Sequence, residues 1–215
     1  MTSMETPAIA AIILAAGSSS RFGRPKQSVV LAGETLLERA ARIAAEAGLA
    51  PVIVVLKPEL DFGYALQQLG CLVVLNDRAA EGIASSIRYG IRTAKLVKTT
   101  GVILMTCDQV TLTPAHLRSL IADPNRPTGS GYAGKTGIPA YFPASSFDAL
   151  DKLQGDTGAR DLLTTAHSVP AEALTLDIDT EADLHRARTL IEPAAPKPRK
   201  LVKPPQALTP TKQMK

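Results

Sequence analysis

Arg21, Arg24 and Lys26 close a loop of small residues, Ala15-Ala16-Gly17-Ser18-Ser19-Ser20, that follows directly on the apolar run Ala8 to Leu14. A strand that ends in Ala, Gly and Ser exposes backbone N–H groups that no large side chain shields, so a polyphosphate can approach them closely. Leu14, Ala15, Ala16, Gly17 and Ser18 are therefore candidates for a phosphate cradle, with Arg21 and Lys26 supplying positive charge. The loop lacks the Gly-Lys-Ser/Thr ending of a P-loop, and no G-x-G-x-x-G dinucleotide fingerprint is present. A plain Gly/Ser turn with solvated cations is the competing reading of Gly17 to Ser20 taken alone.

Two segments supply carboxylates. Thr106-Cys107-Asp108-Gln109 ends an apolar run, which brings Asp108 out beside the small-residue loop. One Mg²⁺ held by one or two carboxylates is the usual way to orient and neutralise a triphosphate, so Asp108 is a candidate ligand. An Asp after a strand also serves as a turn residue. In Asp177-Ile178-Asp179-Thr180, alternation puts Asp177 and Asp179 on the face opposite Ile178, and Asp179 is the second candidate ligand. Asp179 or Thr180 could equally cap the helix that follows. A third cluster, Asn76 to Ile87, offers Gly82 for close backbone approach and Ser85 and Ser86 as hydrogen-bonding groups for a base or ribose; serines near a helix start also act as caps.

These residues need a scaffold of strands with helices between them. Short runs rich in Val, Ile and Leu at Ile9–Leu14, Val52–Leu56, Leu72–Leu75 and Val102–Met105 alternate with segments of helical period, the pattern of a buried parallel sheet. Leu36, Leu37, Ala40, Ile43, Ala44 and Ala47 share a face of a helix over 34–47, with Gly48 as its stop. Ile83, Ile87, Ile91 and Ala94 mark another, and Thr113-Pro114 opens a third with Thr113 as N-cap, running through Leu117, Leu120 and Ile121. Pro124, Pro127, Gly129 and Gly131 predict a loop over 123–131. Beyond it, strands are expected at 132–133, 138–142 and 173–178, and helices at 144–153, 157–166 and 181–191. The result is a three-layer α/β sandwich with a mostly parallel central sheet, whose ligands bind beyond the carboxyl ends of the strands.

The chain has 215 residues and 45% hydrophobic content, enough for one domain with a sizeable core. Its net charge of +4 is concentrated in the tail. Over 191–215, Lys197, Arg199, Lys200, Lys203, Lys212 and Lys215 face Glu192 alone, among six prolines that forbid a packed helix. The expected organisation is a domain over 1–190 and a disordered basic extension over 191–215, with no nucleic-acid partner. No apolar run reaches the roughly 18 residues that cross a bilayer, and a cytoplasmic location is expected. Cys71 and Cys107 lie in apolar runs and are expected to be buried and unpaired. His116, His167 and His185 read as surface residues, with no nucleophile-and-base pair.

The order Leu14-Ala15-Ala16-Gly17 through Arg21-Phe22-Gly23 to Lys26 resembles the L-A-A-G-x-S-x-R-(M/F)-G-x-x-K signature of the MobA-like nucleotidyltransferases. Leu-Ala-Ala-Gly with Pro25-Lys26-Gln27 is similar to the molybdenum cofactor cytidylyltransferase branch. The resemblance runs over about residues 9 to 190. It includes Asp108-Gln109 before Val110, where the family carries proline, and Asp177 to Leu184 at the strand-to-helix junction. It also includes Gly137-Ile138-Pro139 and Gly155-Asp156-Thr157-Gly158-Ala159-Arg160 on the acceptor side. The resemblance implies a Rossmann-like nucleotidyltransferase fold of the GT-A type and Mg²⁺ as cofactor. It implies an NTP, CTP foremost, as donor and a phosphorylated acceptor, molybdopterin foremost. Arg21 and Lys26 would be catalytic, Asp108 and Asp179 metal ligands, and Gly137, Pro139 and Arg160 acceptor contacts. A guanylyltransferase of the same cofactor, an isoprenoid-pathway cytidylyltransferase and a non-catalytic nucleotide-binding regulator are the alternatives. A molybdoenzyme or chaperone is the partner the basic tail could meet.

Overall fold

The computed structural model describes residues 8–17, 19 and 22–192. Arg21, Ser18 and the expected extension from Pro193 onward lie outside the described residues. In chain order the elements are β1 (Ile9–Leu14), β2 (Val30–Leu31), β3 (Glu34–Thr35), α1 (Leu36–Glu46), β4 (Val52–Leu56), α2 (Gly63–Gln68), β5 (Leu72–Leu75), α3 (Ile83–Leu96) and β6 (Gly101–Met105). There follow α4 (Pro114–Ser119), β7 (Thr128–Tyr132), β8 (Lys135–Pro143), α5 (Phe147–Leu150), α6 (Arg160–Leu163), β9 (His167–Pro170) and α7 (Glu181–Ile191).

Seven strands form one sheet in the order β5-β4-β1-β6-β8-β7-β9, and β8 alone runs against the rest. The short β2–β3 hairpin stands apart. Both sheet faces are covered, so the central strands are apolar throughout and alternate between two cores. Ala11 and Ile13 of β1, Val54 of β4 and Ile103 of β6 pack with α1, α2, α4 and α7. Ala10, Ile12, Ile53 and Leu104 pack with α3, α5 and α6. The chain builds β1, β4 and β5 outward in one direction and then crosses back to lay β6 on the other side of β1. The ends of β1 and β6, paired in register from Ile9↔Gly101 to Ile13↔Met105, therefore flank a topological switch point.

The expected sandwich is the observed fold, and β1, β4, β5 and α7 have the expected bounds. Other elements differ. The helix expected over 34–47 begins at Leu36, because Glu34 and Thr35 pair with β2 and Thr35 then caps the helix in a box with Glu38. Thr113 is the N-cap of α4, as its side chain accepts from the His116 N–H, but α4 stops at Ser119. The loop expected over 123–131 contains strand β7 from Thr128, paired on both sides. The strand expected at 173–178 is instead a 3-10 turn, Glu172–Thr175, followed by the isolated bridge Gln109↔Asp177. The helix expected over 157–166 shrinks to α6 and is followed by β9. The helix expected over 144–153 divides into a 3-10 turn, Ala144–Ser146, and α5. Cys71 and Cys107 are buried and unpaired, and burial pushes the Cys107 thiol up to about 12.

Candidate active site

Where β1 ends, Ala15 N–H still bonds to Val55 O of β4 at 2.9 Å, so the strand leads rigidly into the loop. Ser19 takes a positive φ of 50°, and its carbonyl accepts from Phe22 N–H at 2.9 Å and Gly23 N–H at 3.3 Å. The chain then enters the 3-10 turn Lys26–Ser28. That turn grips the loop: Lys26 N–H donates to Ser19 Oγ at 3.1 Å, and the Gln27 amide nitrogen donates to Ala15 O and Gly17 O.

Lys26 reaches across the switch point. Its Nζ donates to Asp108 Oδ2 at 3.2 Å and to Asp179 Oδ1, so one ammonium joins the end of β6 to the junction before α7. The junction itself is fixed by the antiparallel bridge Gln109↔Asp177 and by Ile178 N–H bonded to Asp108 O at 3.1 Å. Ile178 is fully buried, which turns Asp177 and Asp179 to the opposite side as alternation required. Burial acts to lower the Lys26 pKa, but the bonds to Asp179 and Asp108 outweigh it and hold the pKa above its usual value. Asp177 behaves oppositely. Burial, reinforced by the neighbouring Asp108 and Asp179 charges, pushes its carboxyl up to about 6. Asp177 Oδ1 is buried with no hydrogen-bond partner among the described residues.

The third wall is the start of α3. Gly82 is the N-cap at φ +97°, and a Cβ there would lie 2.5 Å from Gly155 O and from Asp156 Oδ1. Only glycine lets the 155–156 turn come that close, and the turn then satisfies the first helical donors: Ala84 N–H bonds to Gly155 O at 3.1 Å and Ile83 N–H to Asp156 Oδ1 at 3.3 Å. Asn76, fully buried at the end of β5, donates to Ser85 Oγ at 2.9 Å and Ser86 Oγ at 3.0 Å.

These three walls enclose an open cleft of about 590 Å³. Of the candidate site residues, Leu14, Ala16, Gly17, Lys26, Gly82, Ser86, Asp108 and Asp179 line it. Ala15 and Ser85 are buried behind the lining, Ser85 as partner of Asn76 and donor to Gly82 O. Gly137, Pro139 and Arg160 do not line the cleft. Pro139 is buried and its carbonyl accepts from Ser130, while Arg160 is exposed at the first position of α6. The 137–139 segment nevertheless connects to Asp108 through Gln109, whose amide donates to Ile138 O at 3.1 Å.

The cleft also contains Gln27, Lys57 and Asp156, to which sequence reasoning gave no role. Gln27 and Asp156 stood inside quoted motifs, and Lys57 directly follows a parallel strand, where site residues gather. His116, expected at the surface, is half-buried with its Nε2 2.7 Å from Ser130 Oγ, and burial lowers its pKa. Ser130 is fully buried and donates to Pro139 O at 2.6 Å, so this His–Ser pair ties α4 to β7 and β8. His167 and His185 are exposed.

Two carboxylates within reach of a single ammonium are also within reach of a single cation, and hard oxygen donors suit Mg²⁺. No group of three or more His, Cys, Asp or Glu side chains converges as a complete metal cage among the described residues. No helix among the described residues is long and apolar enough to cross a membrane.

A model of the MobA-like NTP transferase domain matches residues 11–171. Purine catabolism protein PucB of Bacillus subtilis is 32% identical over 170 residues, 74% of this chain and 82% of that protein. A probable molybdenum cofactor guanylyltransferase of Opitutus terrae is 44% identical over 57 residues, 26% of this chain and 28% of its own. Among solved structures, Rv0371c of Mycobacterium tuberculosis H37Rv superposes with a TM-score of 0.71 at 28% identity, covering 85% of this chain and 99% of its own. Its manganese complex does so at 0.64 and 25% identity, covering 85% of this chain and 98% of its own. The family model spans most of the described residues, and this chain belongs to the MobA-like NTP transferase family.

Proposed function

We propose that the cleft transfers a nucleoside monophosphate from an NTP, CTP by preference, to a phosphorylated acceptor, molybdopterin being the first to test. An acceptor phosphate oxygen attacks the α-phosphorus, the bond from that phosphorus to the bridging oxygen breaks, and pyrophosphate leaves with the electron pair. The observation that supports this best is Lys26 set between Asp108 and Asp179 opposite the small-residue loop, a charge pattern suited to a polyphosphate and its cation. The loop amides and Lys26 bind the phosphates, and Lys26 with Arg21 stabilises charge developing on the α-phosphate and bridging oxygens; Arg21 enters on resemblance alone. Gly82 and Ser86 form the wall available to base and ribose.

Asp108 and Asp179 would hold Mg²⁺, which when bound supplies positive charge along the triphosphate. Catalysis is then positioning and electrostatics, without a covalent enzyme intermediate. Gly137, Pro139 and Arg160 remain acceptor-side candidates, and Gln109 is the route by which the 137–139 segment influences Asp108.

Calorimetric titration of CTP, GTP, UTP and ATP with Mg²⁺, followed by pyrophosphate release with reduced molybdopterin, tests the proposal. CTP preference with acceptor-dependent release is the expected result. GTP preference would support the guanylyltransferase reading, which the Opitutus terrae relative favours. NTP binding without release from any phosphorylated acceptor would favour a regulator. Full Mg²⁺-dependent activity in Asp108→Asn would remove the metal assignment.

A further inference from the structure

The turn Lys26–Ser28 sends two adjacent side chains to different tasks. Lys26 goes to the carboxylates, whereas Gln27, only 3% exposed, runs beneath the small-residue loop. Its Nε2 donates to Ala15 O and, at 3.4 Å, to Gly17 O. Both partners are carbonyls that can only accept, so the nitrogen must face them and the amide has one possible orientation. The consequence is that Gln27 Oε1 is buried with no hydrogen-bond partner among the described residues. Leaving a buried amide oxygen unpaired is costly, whereas an apolar side chain of the same length would fill the space without that cost.

What the amide accomplishes follows from peptide geometry. In a trans peptide the carbonyl of one residue and the N–H of the next point in opposite directions. Drawing Ala15 O toward Gln27 therefore turns the Ala16 N–H the other way, and Ala16 lines the cleft. No acceptor meets that N–H among the described residues, while the Ala15 N–H just before it is bonded to Val55 O. The far side of the loop is tied to the same turn, through Lys26 N–H and Ser19 Oγ.

We infer that Gln27 is a positioning residue for phosphate binding: its amide holds the loop carbonyls beneath the cleft so that the Ala16 N–H faces the NTP phosphates. This rests on the reading of the cleft as an NTP site. Although Gln27 borders the cleft, the role assigned to it is exerted through the loop carbonyls its amide holds. The same turn thus sets both halves of the site, the loop through Gln27 and the carboxylates through Lys26.

The test is calorimetry of CTP and of cytidine, which has no phosphate, against wild type, Gln27→Met and Gln27→Glu. Gln27→Met should bind CTP about tenfold more weakly, the loss of one buried hydrogen bond, with cytidine unchanged. Gln27→Glu should be weaker still at pH 8 and recover relative to wild type as the pH falls, because a protonated carboxyl can again donate to Ala15 O. Equal CTP affinity in Gln27→Met and wild type overturns the inference, as does a loss of the same size for cytidine and CTP. If neither variant folds, the wild-type Ala16 amide resonance decides the matter: it should shift on addition of inorganic tripolyphosphate, and a stationary resonance at saturation overturns the inference. Failure of wild type to bind CTP, the other NTPs and tripolyphosphate would remove the proposed function as well, whereas normal wild-type binding with an indifferent Gln27→Met removes only the role of Gln27.

Discussion

Lys26 Nζ lies 3.2 Å from Asp108 Oδ2 while also bonding to Asp179, so the ammonium occupies the position from which a cation would engage both carboxylates. The Lys26 side chain is 14% exposed and the Asp108 side chain 22%, which leaves this pair little screening by water. A divalent cation and the ammonium compete for the same oxygens. Lys26→Met should therefore bind Mn²⁺ more tightly than wild type in the absence of nucleotide, by about tenfold or 1.4 kcal/mol. The same variant should bind CTP at least about tenfold more weakly, having lost a charged hydrogen bond to phosphate. Electron paramagnetic resonance of free Mn²⁺, with and without CTP, measures both changes. A Lys26→Met protein with weakened Mn²⁺ binding would show that Lys26 supports the metal site instead of competing for it.

The position of Asp179 depends on the cap of α7. Thr180 Oγ1 accepts from Asp183 N–H at 3.3 Å, and Asp183 Oδ2 accepts from Thr180 N–H at 2.8 Å and Asp179 N–H at 3.2 Å. Hydrogen bonds from Thr180, then Arg186, hold the Asp183 carboxyl down to about 2. Thr180→Ala should cost about 1 kcal/mol, a fall in Tm of roughly 2–4 °C for a chain of this size. It should also weaken Mn²⁺ binding, because the Asp183 carboxylate that accepts from the Asp179 N–H loses its bond from Thr180 Oγ1 and is held less firmly. Unchanged Mn²⁺ affinity alongside the lowered Tm would separate the cap from the site.

The parts legible in the sequence are those whose environment is set locally. Ile9–Leu14 and Val52–Leu56 are strands with the expected bounds, since central parallel strands read as continuous apolar runs, and Leu72–Leu75 keeps its expected bounds at the sheet edge through its Val and Leu content. The cleft residues at strand ends were legible for the same reason: once β1 and β6 are neighbours, the small-residue loop and Asp108 must meet. β7 was not legible. Gly129 and Gly131 signal a turn, but a Cβ on Gly131 would lie 2.4 Å from Ser168 Oγ, so this glycine is there to let β9 approach. Ala173 to Ile178 alternates like a strand, yet Leu174 and Ile178 reach the core from a 3-10 turn and an isolated bridge. Gln27 and Asn76 stood inside quoted segments without a role of their own, because their partners are carbonyls and hydroxyls brought to them by tertiary structure.

His116 makes stability depend on pH in a definite direction. Burial lowers its folded pKa below the ordinary value of 6.5, so the unfolded chain binds the proton more readily. This contribution is fully present above about pH 6.5 and is lost as the pH falls toward the lowered folded value. Chemical denaturation between pH 7.5 and 5.5 should show a midpoint that drops on acidification. His116→Gln, which retains a donor for Ser130 without the titration, should flatten that drop. An equal slope in both proteins would place the titration elsewhere.

Gly82 joins fold and cleft most directly, since it lines the cleft, caps α3 and admits the 155–156 turn. An alanine there would force a non-glycine residue to φ +97° and place its Cβ 2.5 Å from Gly155 O. The strain alone is worth about 1–3 kcal/mol. Displacement of the turn would also strip Ala84 N–H and Ile83 N–H of their partners at the start of α3. Gly82→Ala should therefore lower the denaturation midpoint and weaken CTP binding together. Asp156→Ala removes one of the two bonds to the helix start and leaves Gly82 in place, so it should weaken CTP binding less. A Gly82→Ala protein with wild-type stability would mean that the turn can move away without cost, and that the close approach at Gly82 does not shape this wall of the cleft.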